Sequence, residues 1–376
     1  MRRLTVALVL LTSAHPAWAQ MDTLDLSRDP VATVIPAEYD GGFFARIGDV
    51  VVNNLGVWVS DPGHNHVLRF DAAGSLLTEY GREGNGPGEF LSPGIVRIDS
   101  VLTVGDFRQG RYVRFSLDGS HLETVRAQHF ADPGGGEKPL TDAVPLKGGF
   151  TVGMIPANYR ISFSQDVVYD LRNHVVLVSP EGESADTLLS FHWGAAAWTT
   201  TVTGAVESTR FGAAGAWSVL GDTAVVLADG AAGTLTIVSP EAGLVRADTV
   251  DLGIAGRAVT ERDLDDVEED IRESTSRDLP REIEIDAPEY WSVATRLIPA
   301  SDHLFWLRQG VDDERGHWVV VDIATMRKRA VILPERFRLT SVYGGLLYGV
   351  TRDELDVPSV GAMANPVAAQ PVPEPA

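Results

Sequence analysis

The sequence predicts an all-β fold, a six-bladed β-propeller with one short helical insertion between blades 4 and 5. Three observations carry that prediction. First, a unit occurs twice, VWVSDPGHNHVLRFDAAG at 57–74 and LTVGDFRQGRYVRFSLDG at 102–119, so that Asp61, Arg69, Phe70 and Gly74 match Asp106, Arg114, Phe115 and Gly119 at one constant offset. A fixed period of this size, built from short β-branched or aromatic runs and tight turns, marks a propeller blade. Second, VVLVSPEG at 175–182 echoes TIVSPEAG at 236–243, which extends the pattern into later blades. Third, the composition fits: 44% hydrophobic, 22% charged and 37 glycines describe a turn-rich globular chain. Six blades of about 45–50 residues use nearly all of the 376 residues as one domain, placed at 29–364.

The first residues do not belong to that domain. Arg2 and Arg3 precede a short apolar run at 4–11, and Ala17-Trp18-Ala19 satisfies the small-x-small rule for cleavage. Residues 1–19 therefore read as a secretory signal peptide cleaved after Ala19, and the expected location is periplasmic or secreted. There is no cysteine, which excludes disulfides, thiol catalysis and thiolate metal sites. The formal charge of −21 becomes more negative once Arg2 and Arg3 leave. Such a charge opposes nucleic-acid binding and adsorption to anionic membranes. No later segment is long and apolar enough to insert in a membrane. A monomer is the default expectation.

In order, the mature chain holds one expected strand at 31–35, then blade 1 with strands at 47–53, 56–60, 67–70 and 76–80, each bounded by Gly, Asn or Asp. Asp71 to Gly74 is the turn between its third and fourth strands. Blade 2 spans 94–125. Residues 126–142 read as a loop, followed by blade 3 at 143–191 and blade 4 at 210–252. At 260–277 the pattern breaks: Leu264, Val267 and Ile271 fall on one helical face, Thr260 is the expected N-cap, and acidic residues crowd the first turn. A Pro-bearing acidic linker leads to blade 5 at 290–333, with HLFWLRQ and HWVVVDI as central strands. Blade 6 starts near Phe337, with strands at 346–350 and 357–363, and then runs out of chain into the Pro/Ala tail 365–376, expected to be disordered. Its missing outer strand is expected to be 31–35, which would close the ring and remove its open edges.

The strand, Asp, loop, strand ending Arg-Phe, and Asp-Gly turn, followed by Tyr80 and GREGNGPGEF at 81–90, resemble the NHL-repeat six-bladed propellers from about residue 55 to 122. The family's Asn-x-Arg is Asn65-His66-Val67 in the first copy and Gly110-Arg111-Tyr112 in the second, so neither has Arg at its expected place. The resemblance implies a ligand- or protein-binding scaffold of the cell envelope, with a protein, peptide or glycan as partner and no cofactor. Six-bladed propellers also resemble calcium-dependent lactonases and a peptide-amidating lyase. On that alternative the chain is a metal-dependent hydrolase or lyase, with calcium as cofactor and Glu83, Asn85 and Asp106 as the residues to consider.

No catalytic motif is present: GxSxG, HExxH, the P-loop Lys and the calcium-loop spacing are all missing. His64 and His66 read as loop residues rather than a ligand pair, so no metal ligand is assigned. In a propeller, the loops between blades and between second and third strands gather at one face. His64, Arg82, Glu83, Arg108, Arg111, Asp313 and Arg315 are the candidate ligand-binding residues at the channel mouth there. Arginines in such a ring suit a carboxylate, a phosphate or an acidic sugar.

Overall fold

The computed structural model describes residues 21–106, 108–131, 137–156, 172–183, 185–192, 195–198, 206–208, 214–241, 244–254, 256–274, 284–287, 289–310 and 316–367. The signal-peptide residues 1–19, Asp313, Arg315 and tail residues 368–376 lie outside them.

Six blades of four antiparallel strands form the ring, and a fifth, parallel strand is added at the edge of blade 5. Blade 1 contains Asp49–Asn53, Gly56–Asp61, His66–Phe70 and Leu76–Tyr80, and blade 2 contains Pro93–Ile98, Val101–Asp106, Arg111–Ser116 and His121–Arg126. Blade 3 runs from Thr141–Pro145 to Ala185–His192, and blade 4 from Gly215–Leu220 to Leu244–Asp251. Blade 5 contains Arg296–Pro299, Leu304–Arg308, Gly316–Asp322 and Arg327–Leu333. Blade 6 takes Phe337–Tyr343, Leu346–Arg352 and Pro358–Ala364 from the C-terminal end, and Ala32–Ile35 as its outermost strand. The expected ring closure is therefore present. Asn365 follows the last strand, buried, with its N–H donating to Gly345 O at 2.9 Å.

The core lies between blades, because each sheet buries both faces against its neighbours. Ile35, Phe44, Val50, Val59 and Leu68 meet Val350 and Val360 between blades 6 and 1, and Trp58, Tyr80 and Phe90 meet Val104 and Phe115 between blades 1 and 2. The repeated glycines serve these joints. Gly74 has φ +85°, and a Cβ there would meet Val34 O at 2.5 Å. Gly119 has φ +98°, and its Cβ would meet the Thr78 methyl at 3.0 Å. In both places a turn of one blade presses on the outer strand of the preceding blade, and only glycine allows the conformation and the approach. The repeated arginines have diverged. Arg69 donates to Leu55 O and Leu117 O and lies 5.1 Å over Trp58, joining blade 1 to blade 2. Arg114 pairs with exposed Glu123 instead.

The helix Glu261–Ser274 lies in the chain between blades 4 and 5. Thr260 Oγ1 accepts from Asp263 N at 3.3 Å, while Asp263 accepts from Thr260 N at 2.8 Å, a reciprocal cap. Arg257 grips the same carboxylate at 2.8 and 2.9 Å, and these bonds hold Asp263 well below the usual carboxylate range. Val267 and Ile271 are buried against Trp291, with Leu264 partly buried beside them.

Three elements depart from the sequence expectation. Residues 21–36 hold a second long-range strand, Thr23–Asp25, which pairs in parallel with the outer strand of blade 5. The stretch read as a loop at 126–142 contains the hairpin His129–Ala131 with Glu137–Pro139. The acidic linker contributes Glu284–Asp286 to a small sheet with Ala195–Trp198 and Val206–Ser208. Each segment is three or four residues long, too short to show a period, and its partner is distant in sequence.

Blade 3 carries a titrating strain. Asp142 sits at φ +52° in a bulged strand, and burial raises its pKa from 3.8 to about 6. Next to it, the Tyr112 hydroxyl donates to Leu140 O and accepts from Ala143 N, and burial pushes it up to about 12. A carboxyl whose folded pKa is raised favours the fold while protonated, so its contribution is complete below about pH 4 and is lost as pH rises through about 6. Asp142→Asn is expected to gain about 1–3 kcal/mol at pH 8 and almost nothing at pH 4. Urea titrations at the two pH values check this.

Candidate functional site

In each blade the first strand starts where the second ends, as the pairs Asp49–Ser60, Asp106–Pro93, Gly215–Asp229 and Arg296–Arg308 record. These ends share one face of the ring, with the first strands innermost. The last residue of the second strand is Asp61 in blade 1, Asp106 in blade 2 and Asp229 in blade 4, but Arg308 in blade 5 and Arg352 in blade 6. That alternation divides the face into two chemically different sectors.

In the first sector Asp61 is fully buried. Its Oδ1 accepts from Arg46 N, Gly63 N and His64 N at 3.0, 2.9 and 3.2 Å, and its Oδ2 from Ala45 N at 2.8 Å. One carboxylate thus ties the segment leading into blade 1 to the loop between the second and third strands. His64 Nδ1 stands 3.1 Å from Oδ2, and the ring packs edge-on to Phe43 at 4.8 Å. His66 Nδ1 bonds Glu79 at 2.9 Å, and its Nε2 faces Asp61 Oδ2 at 4.0 Å.

The blade 2 equivalents repeat the tie. Asp106 Oδ2 accepts from Leu91 N and Gln109 Nε2. Arg111, mostly buried, lies 3.6 Å from Asp106 and donates to Asn85 O and Glu89 O, pinning the glycine-rich loop between blades 1 and 2. Of the other sequence-predicted residues, exposed Arg82 pairs with Glu89 at 2.9 Å, and Glu83 and Arg108 are exposed. The structure brings Arg82, Glu83 and Arg111 to one loop region, with His64 on the blade 1 loop. Glu83, Asn85 and Asp106 do not fit a calcium site. Glu83 and Asn85 are exposed, and the Asp106 carboxylate already faces the Arg111 guanidinium.

The second sector holds residues that sequence reasoning missed. A cleft of about 170 Å³ between blades 5 and 6 is lined by Arg296, Arg308, Arg336, Arg338 and Arg352, together with Trp318 and Glu335. Arg296 reaches across to Asp49 of blade 1 at 3.0 Å. Arg338 donates to Ile47 O and Gly48 O at 3.1 and 2.9 Å. Arg352 pairs with Asp356, and Arg336 donates to Asp353 O. The Arg338 pKa is lowered first by desolvation in the cleft and then by the charges of Arg296, Arg352 and Arg308, with Asp49 opposing. Five guanidinium groups around one cleft, in a chain of charge −21, make a local positive field open to solvent. The signal was present in the sequence: arginine ends the second strands of blades 5 and 6, where blades 1, 2 and 4 carry aspartate and blade 3 carries Ile155.

A family model described as a 6-bladed beta-propeller (DUF5128) matches residues 39–132, which span blades 1 and 2. No curated protein matches the sequence. Among solved structures, the chain is similar to a Bacteroides fragilis protein described as exported, at 11% identity and a TM-score of 0.51, covering 91% of this chain and 96% of that one. It is also similar to a member of a duf4221 family from Bacteroides vulgatus, at 8% identity and TM-score 0.48, covering 88% and 94%. A third is the calcium-binding protein regucalcin from Agrobacterium tumefaciens, at 10% identity and TM-score 0.44, covering 89% and 93%. Among the described residues no helix is long and apolar enough to cross a membrane. The family model and the strand order agree on the six-bladed propeller, and the first of these likenesses, at 11% identity, concerns the fold alone.

Proposed function

We propose that the chain is an exported binding module of the cell envelope that captures an anionic group of a protein, peptide or glycan in the cleft between blades 5 and 6. The observation that carries this reading is the convergence of Arg296, Arg308, Arg336, Arg338 and Arg352 on one cleft. Planar guanidinium groups match carboxylate and phosphate geometry through paired, charge-assisted hydrogen bonds. A cleft of about 170 Å³ accepts one such group rather than a whole polymer, so the rest of the ligand would lie over the propeller face. The leader-like sequence of residues 1–19 supports export. The alternative that the resemblance offers, a calcium-dependent lactonase-like enzyme, has less support, because Glu83, Asn85 and Asp106 do not form a ligand set.

Calorimetric titration at low salt with inorganic phosphate, an oligogalacturonate and an acidic peptide tests the proposal. At least one is expected to bind saturably, with affinity falling as salt rises. The double variant Arg308→Gln/Arg352→Gln removes two exposed cleft arginines and is expected to weaken binding by about tenfold or more, since hydrogen bonds to charged groups contribute roughly 1.5–3 kcal/mol each. Absence of binding, or binding indifferent to the double variant, overturns it.

A further inference from the structure

We infer that Asp61, His64 and His66 form a divalent transition-metal site of the zinc class on the loop between the second and third strands of blade 1. One ligand atom from each of the three lies within 4.8 Å of the others. His64 Nδ1 is 3.1 Å and His66 Nε2 4.0 Å from Asp61 Oδ2. Ligands held about 2 Å from one tetrahedral ion stand roughly 3.3 Å apart, so small side-chain rotations bring this set to an ion. Two imidazoles and one carboxylate suit zinc-class ions and do not suit calcium, which takes oxygen ligands.

An independent observation points the same way. His66 is 9% exposed, and its Nε2 is buried with no hydrogen-bond partner. Its other nitrogen, Nδ1, bonds Glu79 at 2.9 Å. With Nδ1 held by Glu79, Nε2 is the ring nitrogen free to bind an ion, and it is aimed at a carboxylate oxygen. A ring nitrogen facing a carboxylate, shielded from water, is an arrangement that a cation completes. The carboxylate–histidine contact behind it is the outer support that metal-bound histidines have.

Blade 2 supplies an internal control. Asp61, His64 and His66 correspond at the repeat offset to Asp106, Gln109 and Arg111. In blade 2 the buried carboxylate faces the Arg111 guanidinium at 3.6 Å and accepts from Gln109. The second copy therefore carries its own cation, the Arg111 guanidinium, where the first has the His66 imidazole. His64 has a side-chain exposure of 36%, which leaves the ion open on one side, so the site can complete its coordination with water or with a donor from a ligand. The site is separate from the arginine cleft, and the two proposals stand or fall independently.

The experiment is titration of the full mature chain, freed of metal by chelation, with Zn²⁺ by calorimetry and with Co²⁺ by its ligand-field spectrum. Saturable binding of one ion per chain, with a four- or five-coordinate Co²⁺ spectrum, is expected. The double variant His64→Gln/His66→Arg rebuilds the blade 2 solution in blade 1. It is expected to fold, judged by circular dichroism, and to lose the ion. Glu79→Gln, an exposed change, is expected to weaken binding by about tenfold or more. If the double variant does not fold, His64→Gln alone must still weaken binding and alter the Co²⁺ spectrum. No saturable binding by the native chain, or binding unchanged in the histidine variants, overturns the proposal.

Discussion

Removal of residues 21–36 is expected to lower the melting temperature by more than any single substitution, on the order of 10 °C or more. This segment closes the ring twice. Thr23–Asp25 extends blade 5 in parallel, with Leu26 N donating to Ile332 O and Arg329 pairing with Asp22. Ala32–Ile35 then completes blade 6, with Ala32 opposite Ala362 and Ile35 opposite Val360. Leu26 is 6% exposed in the cluster between blades 5 and 6, and Ile35 is fully buried between blades 6 and 1. Truncation would uncover two sheet edges and both joints. Ile35→Ala alone is expected to cost about 2–4 kcal/mol, as other buried Ile-to-Ala changes do. Thermal melts of the two variants beside the native chain decide it. A truncated chain that melts with the native one would mean that the ring holds without its closing strands.

Asp61→Ala is expected to be the most damaging polar substitution, at about 3–5 kcal/mol. The carboxylate is fully buried and accepts four backbone N–H groups from two separate segments, so its loss releases both segments at once and leaves a void where it sat. Asp229→Ala in blade 4 serves as the comparison. Asp229 occupies the same strand position but, among the described residues, its carboxylate accepts only the nearby Ala231 and Ala232 N–H groups and is partly exposed, so its loss is expected to cost about 1 kcal/mol. Urea denaturation with a chelator present, so that bound metal does not contribute, measures both. Equal costs at the two positions would contradict a long-range role for Asp61.

Much of this architecture could be read before any coordinates. The doubled unit marked the turns at Gly74 and Gly119. The spacing of Leu264, Val267 and Ile271 marked the helix, and the shortage of strands after Ala364 implied that 31–35 would return to blade 6. Each of those signals is local or counts strands. The parallel strand Thr23–Asp25 and the small sheet joining Ala195–Trp198 to Glu284–Asp286 were not readable, because segments of three or four residues show no period and their partners lie far away in the chain. The channel-mouth arginines were expected at Arg82, Arg108 and Arg111 on the loops of blades 1 and 2 and at Arg315 in blade 5, the last outside the described residues. Of these, Arg111 is occupied with Asn85 O and Glu89 O, whereas the crowded arginines lie between blades 5 and 6.

By itself, the sequence determined the four-stranded blade pattern, the number of blades and the helical interruption. Periodicity and turn chemistry act over a few residues and leave a visible trace. Only the tertiary structure decided which side chains meet. Arg296 and Arg338 reach Asp49 and Gly48 because a ring brings the last blades against the first, 247 and 290 residues away in the chain. His66 acquires its orphaned nitrogen only when Glu79 of the neighbouring strand takes the other one. Charge convergence and burial depend on closure of the ring, and closure is a property of the whole chain.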